Sequence, residues 1–201
     1  MIKILEKKLS IEEVDFWKKH PDREFIGNNL FPKIGKYFKN KKHKKILDIG
    51  IQSINRADKD LLQNDNIEFY GLDKVKDCEI PEDWAKVFYV DLTEKKCFDK
   101  KLNKYFDAII DYGVLGVWWS EFGMGGYDIK EDNLRNYIDN ILYILKDNGL
   151  YFFKIDLWGE CEKMKYLIYE YFDLTEFYDI SSVKIGNEYE TYVLKKKLKI
   201  I

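Results

Sequence analysis

Cysteine and histidine are scarce in this chain of 201 residues, which contains three cysteines and two histidines. Cys78, Cys97 and Cys161 form an odd set without CxxC spacing, so the sequence indicates neither a disulfide framework nor a zinc knuckle. The two histidines, His20 and His43, are too dispersed for a histidine-centred metal site. We therefore expect no metal centre and a reducing compartment.

Long apolar segments and an excess of one charge are also missing. No segment is long and uncharged enough to span a bilayer, and the first residues contain no apolar stretch of signal-peptide length. Hydrophobic residues make up 46% and charged residues 35%, but the formal net charge is only -2. We therefore expect a cytoplasmic globular protein without a membrane partner. The charge balance gives no reason to expect a nucleic-acid partner.

What the chain does contain is a regular alternation of strand-like and helix-like segments from residue 44 onward. Continuous apolar strands separated by helices indicate a parallel sheet that is covered on both faces. The last two strand-like runs, near 174–184 and 189–196, are joined by turn residues and predict an antiparallel hairpin. The predicted strands end at Gly50, Asp73, Asp91, Asp111 and Asp156, and the predicted helices lie near 57–63, 94–103, 128–147 and 160–172.

Helical patterns are clearest in two parts of the chain. Residues 10–40 are amphipathic and contain no strand-like run. The clearest single helix prediction covers residues 128–147, where apolar residues recur at helical spacing. Asp128 and Glu131 have the spacing of a capping box, and Gly149 lies where a left-handed residue commonly ends a helix.

Acidic residues recur at the ends of three predicted strands, at Asp48, Asp73 and Asp91. Ligands of an open α/β sheet bind at the carboxyl ends of its strands. Acids repeated at that edge are typical of a site that accepts hydrogen bonds from the hydroxyl and amino groups of a nucleoside. Asp73 follows the first β-to-α turn by about two dozen residues, which is the spacing of ribose-binding carboxylates in Rossmann-like sites.

The order of these elements resembles the class I S-adenosylmethionine-dependent methyltransferases, whose seven-stranded sheet ends with a reversed strand. The resemblance covers residues 44–196. It implies a three-layer, Rossmann-like α/β fold, with S-adenosyl-L-methionine as the cofactor. By this resemblance residues 44–201 form the cofactor-binding domain, and residues 1–43 form an added helical lid.

The first motif of that family is an acid, one further residue and then glycines, and this chain has Asp48-Ile49-Gly50-Ile51-Gln52 there. Glycine is needed where the backbone turns sharply against the ligand, because a side chain would occupy the ligand's space. Gly50 meets this need, whereas Gln52 stands where the family most often has a second glycine. An ordinary β-to-α turn is the alternative interpretation of this stretch.

The resemblance also assigns roles to the acids of the next two strands. It assigns Asp73 to the ribose hydroxyls. Asp91 and Leu92 match the place where the family holds adenine, with the carboxylate taking the exocyclic amino group and a backbone amide meeting the ring. An N-cap of the predicted helix near Glu94 would account for Asp91 equally well.

The fourth strand of the pattern ends at Asp111-Tyr112, where the family carries the motif that faces the reactive methyl group. The resemblance places both residues in the cofactor site. Asp111 could act as the base that deprotonates a hydroxyl acceptor, or it could orient the methionine amino group. The glycine-rich loop that follows contains Trp118, Trp119 and Tyr127, which are candidates for a flat surface against a sugar face or an aromatic ring. Packing beneath the lid is the alternative.

These observations predict an S-adenosylmethionine-dependent methyltransferase that modifies the oxygen of a carbohydrate or another small molecule. Residues 112–116 add a weaker resemblance to methyltransferases of bacterial and viral surface-glycan synthesis. Two alternatives stay open at this point. Gln52 in the glycine turn favours a non-catalytic Rossmann-like binding module, and a nucleic-acid methyltransferase would bind with a steep dependence on salt.

Overall fold

A computed structural model describes residues 38, 43–50, 66–73, 86–111, 131–156, 168–182 and 187–197. Its strands form one seven-stranded sheet with the order β3-β2-β1-β4-β5-β7-β6. The regular elements are β1 (Lys44–Ile49), β2 (Ile67–Asp73), β3 (Lys86–Tyr89), a 3-10 helix (Lys100–Leu102), β4 (Phe106–Asp111), α1 (Glu131–Ile144), β5 (Leu145–Asp156), β6 (Phe172–Ser182) and β7 (Asn187–Lys196).

The directions of the strands agree with the predicted architecture. β2 runs parallel to both β1 and β3, and β5 runs parallel to β4. β7 runs in the opposite direction to its two neighbours, because it pairs antiparallel with both β5 and β6. This confirms an α/β fold with a mostly parallel sheet that ends in an antiparallel hairpin. The predicted lid, residues 1–43, lies outside the described residues apart from a buried helical residue, Phe38, and His43.

The chain divides into two compact units, residues 1–91 and 92–201. The first unit contains β1, β2 and β3, and the second contains the remaining elements. The predicted boundary between residues 43 and 44 stays a prediction. Across the described residues, no helix is long and apolar enough to cross a membrane.

Three of the parallel strands, β1, β2 and β4, are largely buried, as their apolar runs predict, whereas the short strand β3 is half-buried. All six residues of β4 are buried, and the last four residues of β1 are buried. A strand covered on only one face would alternate between buried and exposed side chains, so both faces of these strands are covered. Burial of each large aliphatic side chain contributes about 1.5–3 kcal/mol. The core therefore fixes the positions of the strand ends.

The helix α1 has the predicted apolar stripe, formed by Leu134, Tyr137, Ile138 and Ile141, which are nearly inaccessible to solvent. It ends at Ile144, three residues earlier than the sequence predicts. Other segments bond the last carbonyl groups of the helix. The backbone amides of residues 104 and 105 donate to the carbonyl oxygens of residues 143 and 144 at 2.8 Å each, and the ammonium group of residue 196 donates to the carbonyl oxygen of residue 142 at 2.8 Å.

The predicted left-handed stop at Gly149 is wrong, because Gly50 is the only described glycine with a positive φ. Gly149 lies inside β5, where the pairing register with β4 shifts. Close packing explains the glycine, since a Cβ atom there would lie only 2.9 Å from the carbonyl oxygen of Lys146 and 2.5 Å from a methyl group of Leu145. The residue therefore serves the bulge of β5 and does not cap α1.

The predicted helix near residues 94–103 is also wrong. The segment 92–99 consists of turns and bends, and only the 3-10 helix Lys100–Leu102 follows it. Lys96 has a φ of 55°, which no right-handed helix accommodates. The predicted helix near 57–63 lies outside the described residues. Of the predicted helix at 160–172, residues 168–171 are described as helical, and Phe172 already belongs to β6.

Candidate functional site

Three buried carboxylates lie at the carboxyl ends of the three parallel strands of the first unit. Asp48 is the penultimate residue of β1, Asp73 is the last residue of β2, and Asp91 follows the end of β3 by two residues. Their exposed fractions are 6%, 7% and 9%, respectively. Because β1, β2 and β3 are parallel neighbours, the structure brings all three acids to one edge of the sheet.

The register of the strands also places two of the acids on the same face of the sheet. Asp48 is paired with Gly71, and Asp73 lies two residues beyond Gly71 on the same strand. Since side chains alternate along a strand with a period of two, Asp48 and Asp73 project from the same face. The backbone amide of Val90 donates to the carbonyl oxygen of Asp73 at 2.8 Å, so the end of β2 is tied to the residue before Asp91.

The absence of a helix after β3 removes the alternative interpretation of Asp91. An N-cap must precede the first turn of a helix, and residues 92–99 form turns and bends instead. Leu92, the other residue predicted to hold adenine, has a side chain that is only 3% exposed. The two residues therefore open an irregular segment at the carboxyl edge of the sheet, where a ligand-binding loop is expected.

Gly50 begins the turn after β1 with a φ of 79°, in the left-handed region that favours glycine. Its backbone amide donates to the carbonyl oxygen of Leu72 at 2.7 Å. The chain therefore leaves the sheet immediately beside Asp73. A residue with a Cβ atom would be strained at this position, so the predicted need for glycine has a conformational basis.

We expect Gly50→Ala to lower the free energy of unfolding by about 1–2 kcal/mol, because alanine is strained at a positive φ. Urea denaturation followed by circular dichroism would measure the loss. Gly50→Asn is the matched control and should lose less, since asparagine tolerates the left-handed region better than alanine. An alanine variant as stable as the wild type would contradict the conformational role of Gly50.

In the second unit, Asp111 forms a buried cluster with two tyrosines. Asp111 ends β4 and is completely inaccessible to solvent. Its Oδ2 atom accepts hydrogen bonds from the hydroxyl groups of Tyr137, on α1, and Tyr151, on β5, at 2.7 Å each. The ring of Tyr151 packs against Phe153 and Phe172, with centroid distances of 5.6 Å and 5.3 Å. Packing and hydrogen bonding together fix the orientation of the carboxylate.

Burial raises the pKa of the Tyr137 and Tyr151 hydroxyl groups well above the usual tyrosine value, and the neighbouring charge of Asp111 raises it further. Both tyrosines are therefore protonated donors at neutral pH. The pKa of each hydroxyl group is thus higher in the folded protein than in the unfolded chain. The contribution of these protonated hydroxyl groups to the free energy of unfolding is therefore complete up to about pH 10, the unfolded value, and is lost as the pH rises towards the folded value.

This titration predicts a steeper alkaline loss of stability in the wild type than in Tyr151→Phe. Above about pH 10 the difference in slope should reach about 1.4 kcal/mol per pH unit, because the unfolded wild type releases one proton that the folded wild type retains. Denaturation curves at several pH values would measure the slopes, and the remaining tyrosines cancel in the comparison. Parallel profiles for the two proteins would contradict the shifted titration of Tyr151.

The remaining predicted site residues, Gln52, Tyr112, Trp118, Trp119 and Tyr127, lie outside the described residues. Their roles in cofactor and substrate binding stay predictions. Among the residues that the structure does describe, no group of three or more histidine, cysteine, aspartate or glutamate side chains could hold a metal ion.

Sequence reasoning missed the hydroxyl groups of Tyr137 and Tyr151 as partners of Asp111. Tyr137 falls on the apolar stripe of α1, and Tyr151 falls on an apolar strand, so the patterns predict only that both are core residues. A signal was available, because a buried tyrosine hydroxyl needs an acceptor. The predicted strand that precedes α1 in the sequence ends with Asp111, a carboxylate that could supply this acceptor.

No protein-family model matches the chain, and no curated protein sequence matches it. Solved structures do. One is the 1,6-didemethyltoxoflavin-N1-methyltransferase of Burkholderia thailandensis, which was solved with bound 1,6-didemethyltoxoflavin and S-adenosylhomocysteine. Its TM-score is 0.66 at 15% sequence identity, and the match covers 98% of this chain and 95% of that one. The N-methyltransferase NodS of Bradyrhizobium japonicum, in complex with S-adenosylhomocysteine, has a TM-score of 0.62 at 12% identity over 93% and 98%.

A third similar structure is the CurJ carbon methyltransferase, with a TM-score of 0.62 at 11% identity over 92% of this chain and 58% of that one. The first two structures match nearly their whole length, so the likeness includes the complete sheet and not one local motif. At these identities the comparison shows a shared fold.

Proposed function

We propose that this chain, whose fold is that of the class I S-adenosylmethionine-dependent methyltransferases, binds S-adenosyl-L-methionine and transfers its methyl group. The observation that carries the proposal is the set of three buried carboxylates, Asp48, Asp73 and Asp91, at the ends of adjacent parallel strands. Carboxylates at the carboxyl ends of parallel strands are well placed to accept hydrogen bonds from the hydroxyl and amino groups of a bound nucleoside. A nucleoside with a cationic sulfonium supplies both donors and positive charge. Two similar structures contain S-adenosylhomocysteine, which supports this choice of ligand.

The proposed roles follow the positions of the residues along the edge of the sheet. Asp73 accepts hydrogen bonds from the two ribose hydroxyl groups, because two vicinal hydroxyls match the two oxygens of one carboxylate. Asp91 accepts a hydrogen bond from the exocyclic amino group of adenine, and the backbone amide of Leu92 donates to the ring. Asp48, near the end of β1, and Gly50, at the start of the following turn, lie where the cofactor approaches most closely, since Gly50 has no side chain to block it.

For Asp111 two roles are proposed, and its environment favours one of them. Hydroxyl donors that occupy a carboxylate oxygen leave that oxygen less available to take a proton from a substrate, and they hold the carboxylate in one orientation. Asp111 accepts two such bonds on one oxygen and is inaccessible to solvent. This arrangement supports a role in orienting the methionine amino group more than a role as the general base. Tyr112 and Gln52 are proposed to contact the same cofactor.

The finer proposal is methylation of an oxygen atom on a carbohydrate or another small molecule. It is supported by the sequence of the loop with Trp118, Trp119 and Tyr127, because sugar C–H faces pack well against flat aromatic rings. The similar structures are named as nitrogen and carbon methyltransferases, so their fold alone does not select oxygen. The acceptor atom must therefore be determined by an assay.

Isothermal titration of the purified protein with S-adenosylhomocysteine tests cofactor binding, and mass spectrometry of the same preparation detects any nucleoside retained during purification. Incubation with S-adenosylmethionine and a panel of saccharides, amines and oligonucleotides then tests transfer through release of S-adenosylhomocysteine. Cofactor binding with transfer to a saccharide would support the full proposal. If the titration produces no heat and no nucleoside is retained, the non-catalytic module is favoured. Oligonucleotide binding that weakens steeply with salt would favour a nucleic-acid methyltransferase.

A further inference from the structure

Two asparagines of α1 hold the backbone of the turn that opens the second unit. The side-chain amide of Asn140 donates to the carbonyl oxygens of Leu92, at 2.9 Å, and Glu94, at 2.7 Å. Asn136, one helical turn earlier, donates to the carbonyl oxygen of Thr93 at 3.0 Å. Three consecutive carbonyl groups, which we call the 92–94 turn, are thus bonded by two side chains on one face of the helix.

Neither the helix nor the core requires these asparagines. Asparagine is a weaker helix former than alanine or leucine, because its side chain competes with the helical backbone for hydrogen bonds. Asn140 is only 3% exposed, so its amide would be costly to bury if its hydrogens were not bonded. Both N–H groups of the amide are used, one on each of two carbonyl oxygens. The residue is therefore suited to the turn and not to the helix.

The 92–94 turn needs such partners because it has no regular structure. Residues 92–99 form turns and bends, in which carbonyl groups are not paired by a helix or a sheet. Asn136 and Asn140 select one backbone conformation by bonding these carbonyl groups. Since Leu92 directly follows Asp91 in the chain, the asparagines also limit the conformations that are open to the peptide between them.

We propose that Asn140, assisted by Asn136, is a positioning residue for the adenine subsite and acts through the 92–94 turn without touching the ligand. The inference rests on the proposed function, in which Asp91 and Leu92 hold adenine. A loop that is already ordered before binding does not lose conformational entropy when the ligand arrives. Asn140 should therefore determine how well the site recognises the base, in addition to any effect on stability.

Discrimination between two bases tests this inference. S-Inosyl-L-homocysteine carries a carbonyl oxygen where S-adenosylhomocysteine has an exocyclic amino group, so the carboxylate of Asp91 should attract one and repel the other. We expect the wild type to bind S-adenosylhomocysteine about 10- to 100-fold more tightly than the inosyl analogue. Asn140→Asp should reduce this ratio about tenfold, because its carboxylate cannot donate to the carbonyl groups of Leu92 and Glu94.

The matched control is Asp139→Asn, the reverse exchange at the exposed neighbouring position of α1, which should keep the wild-type ratio. If Asn140→Asp does not fold, Asn136→Ala removes the single bond to Thr93 and should also reduce the ratio. A variant with a lower melting temperature but the wild-type ratio would overturn the inference, as would a wild type that binds both ligands equally. A wild type that binds neither ligand would instead overturn the proposed function.

Discussion

Asp73→Ala is expected to weaken S-adenosylhomocysteine binding about 10- to 100-fold, because the ribose hydroxyl groups lose a charged acceptor worth about 1.5–3 kcal/mol. Asp73 is the last residue of β2 and is 7% exposed, so water can replace the lost carboxylate only poorly. Isothermal titration gives the dissociation constant directly. Asp73→Asn should fall between the wild type and the alanine variant, since an amide keeps one neutral acceptor and loses the charge.

The control for this experiment is Asp139→Ala, which removes an exposed carboxylate from α1 and should leave the affinity unchanged. A structural role for Asp73 would produce a different result, with a large loss of melting temperature and little loss of affinity. We expect the opposite balance, because functional residues commonly contribute to binding at the expense of stability. An alanine variant with wild-type affinity would show that the ribose is held elsewhere.

The parallel part of the sheet was predictable from the sequence because β1, β2 and β4 contain short continuous apolar runs. The predicted ends of β2 and β4, Asp73 and Asp111, coincide with the observed ends, and the reversed hairpin of β6 and β7 follows from its turn chemistry. The helix predicted near residue 94 failed for a physical reason. Its sequence carries no residue that forbids a helix, but the carbonyl groups of residues 92–94 bond to α1 instead.

The start of β5 was unpredictable for a similar reason. A helical pattern continues through residue 145, and Gly149 has the position of a common helix stop. The ladder between β4 and β5 nevertheless begins at Leu145, which pairs with Phe106, and the extra residues form the irregularity that contains Gly149. Pairing with β4 therefore determines where β5 begins, and the sequence of β5 alone does not indicate this pairing.

The candidate site could be predicted in part. Asp48, Asp73 and Asp91 were predicted from a rule about where parallel strands end, which requires no knowledge of side-chain packing. The partners of Asp111 and of the 92–94 turn depend on how α1 packs, and sequence patterns assign helix faces without giving contacts. Asn140 lies among apolar residues on the buried face of α1, and a buried amide in such a place is the signal that could have identified it.

Asp111→Ala is expected to lower the free energy of unfolding by about 2–5 kcal/mol, the largest loss of stability that we predict. The substitution leaves two buried hydroxyl groups, on Tyr137 and Tyr151, without their shared acceptor, and each orphaned group costs about 1–3 kcal/mol. Asp111→Asn keeps a carbonyl oxygen in nearly the same position and should lose less. Urea denaturation at pH 7 would measure both losses against an expected total stability of about 5–15 kcal/mol.

The control for Asp111 is Asp139→Ala, because Asp139 is an exposed carboxylate of α1 and substitutions of this kind usually change stability by no more than about 0.5 kcal/mol. A loss for Asp111→Ala no larger than this would contradict the stabilising role of the cluster.

In the folded Asp111→Asn variant, kinetics separate the two chemical roles. A base would reduce turnover and leave cofactor affinity nearly intact, whereas an orienting residue would weaken the cofactor complex itself. Since both tyrosines hold one oxygen of Asp111 in place, we expect the weaker complex.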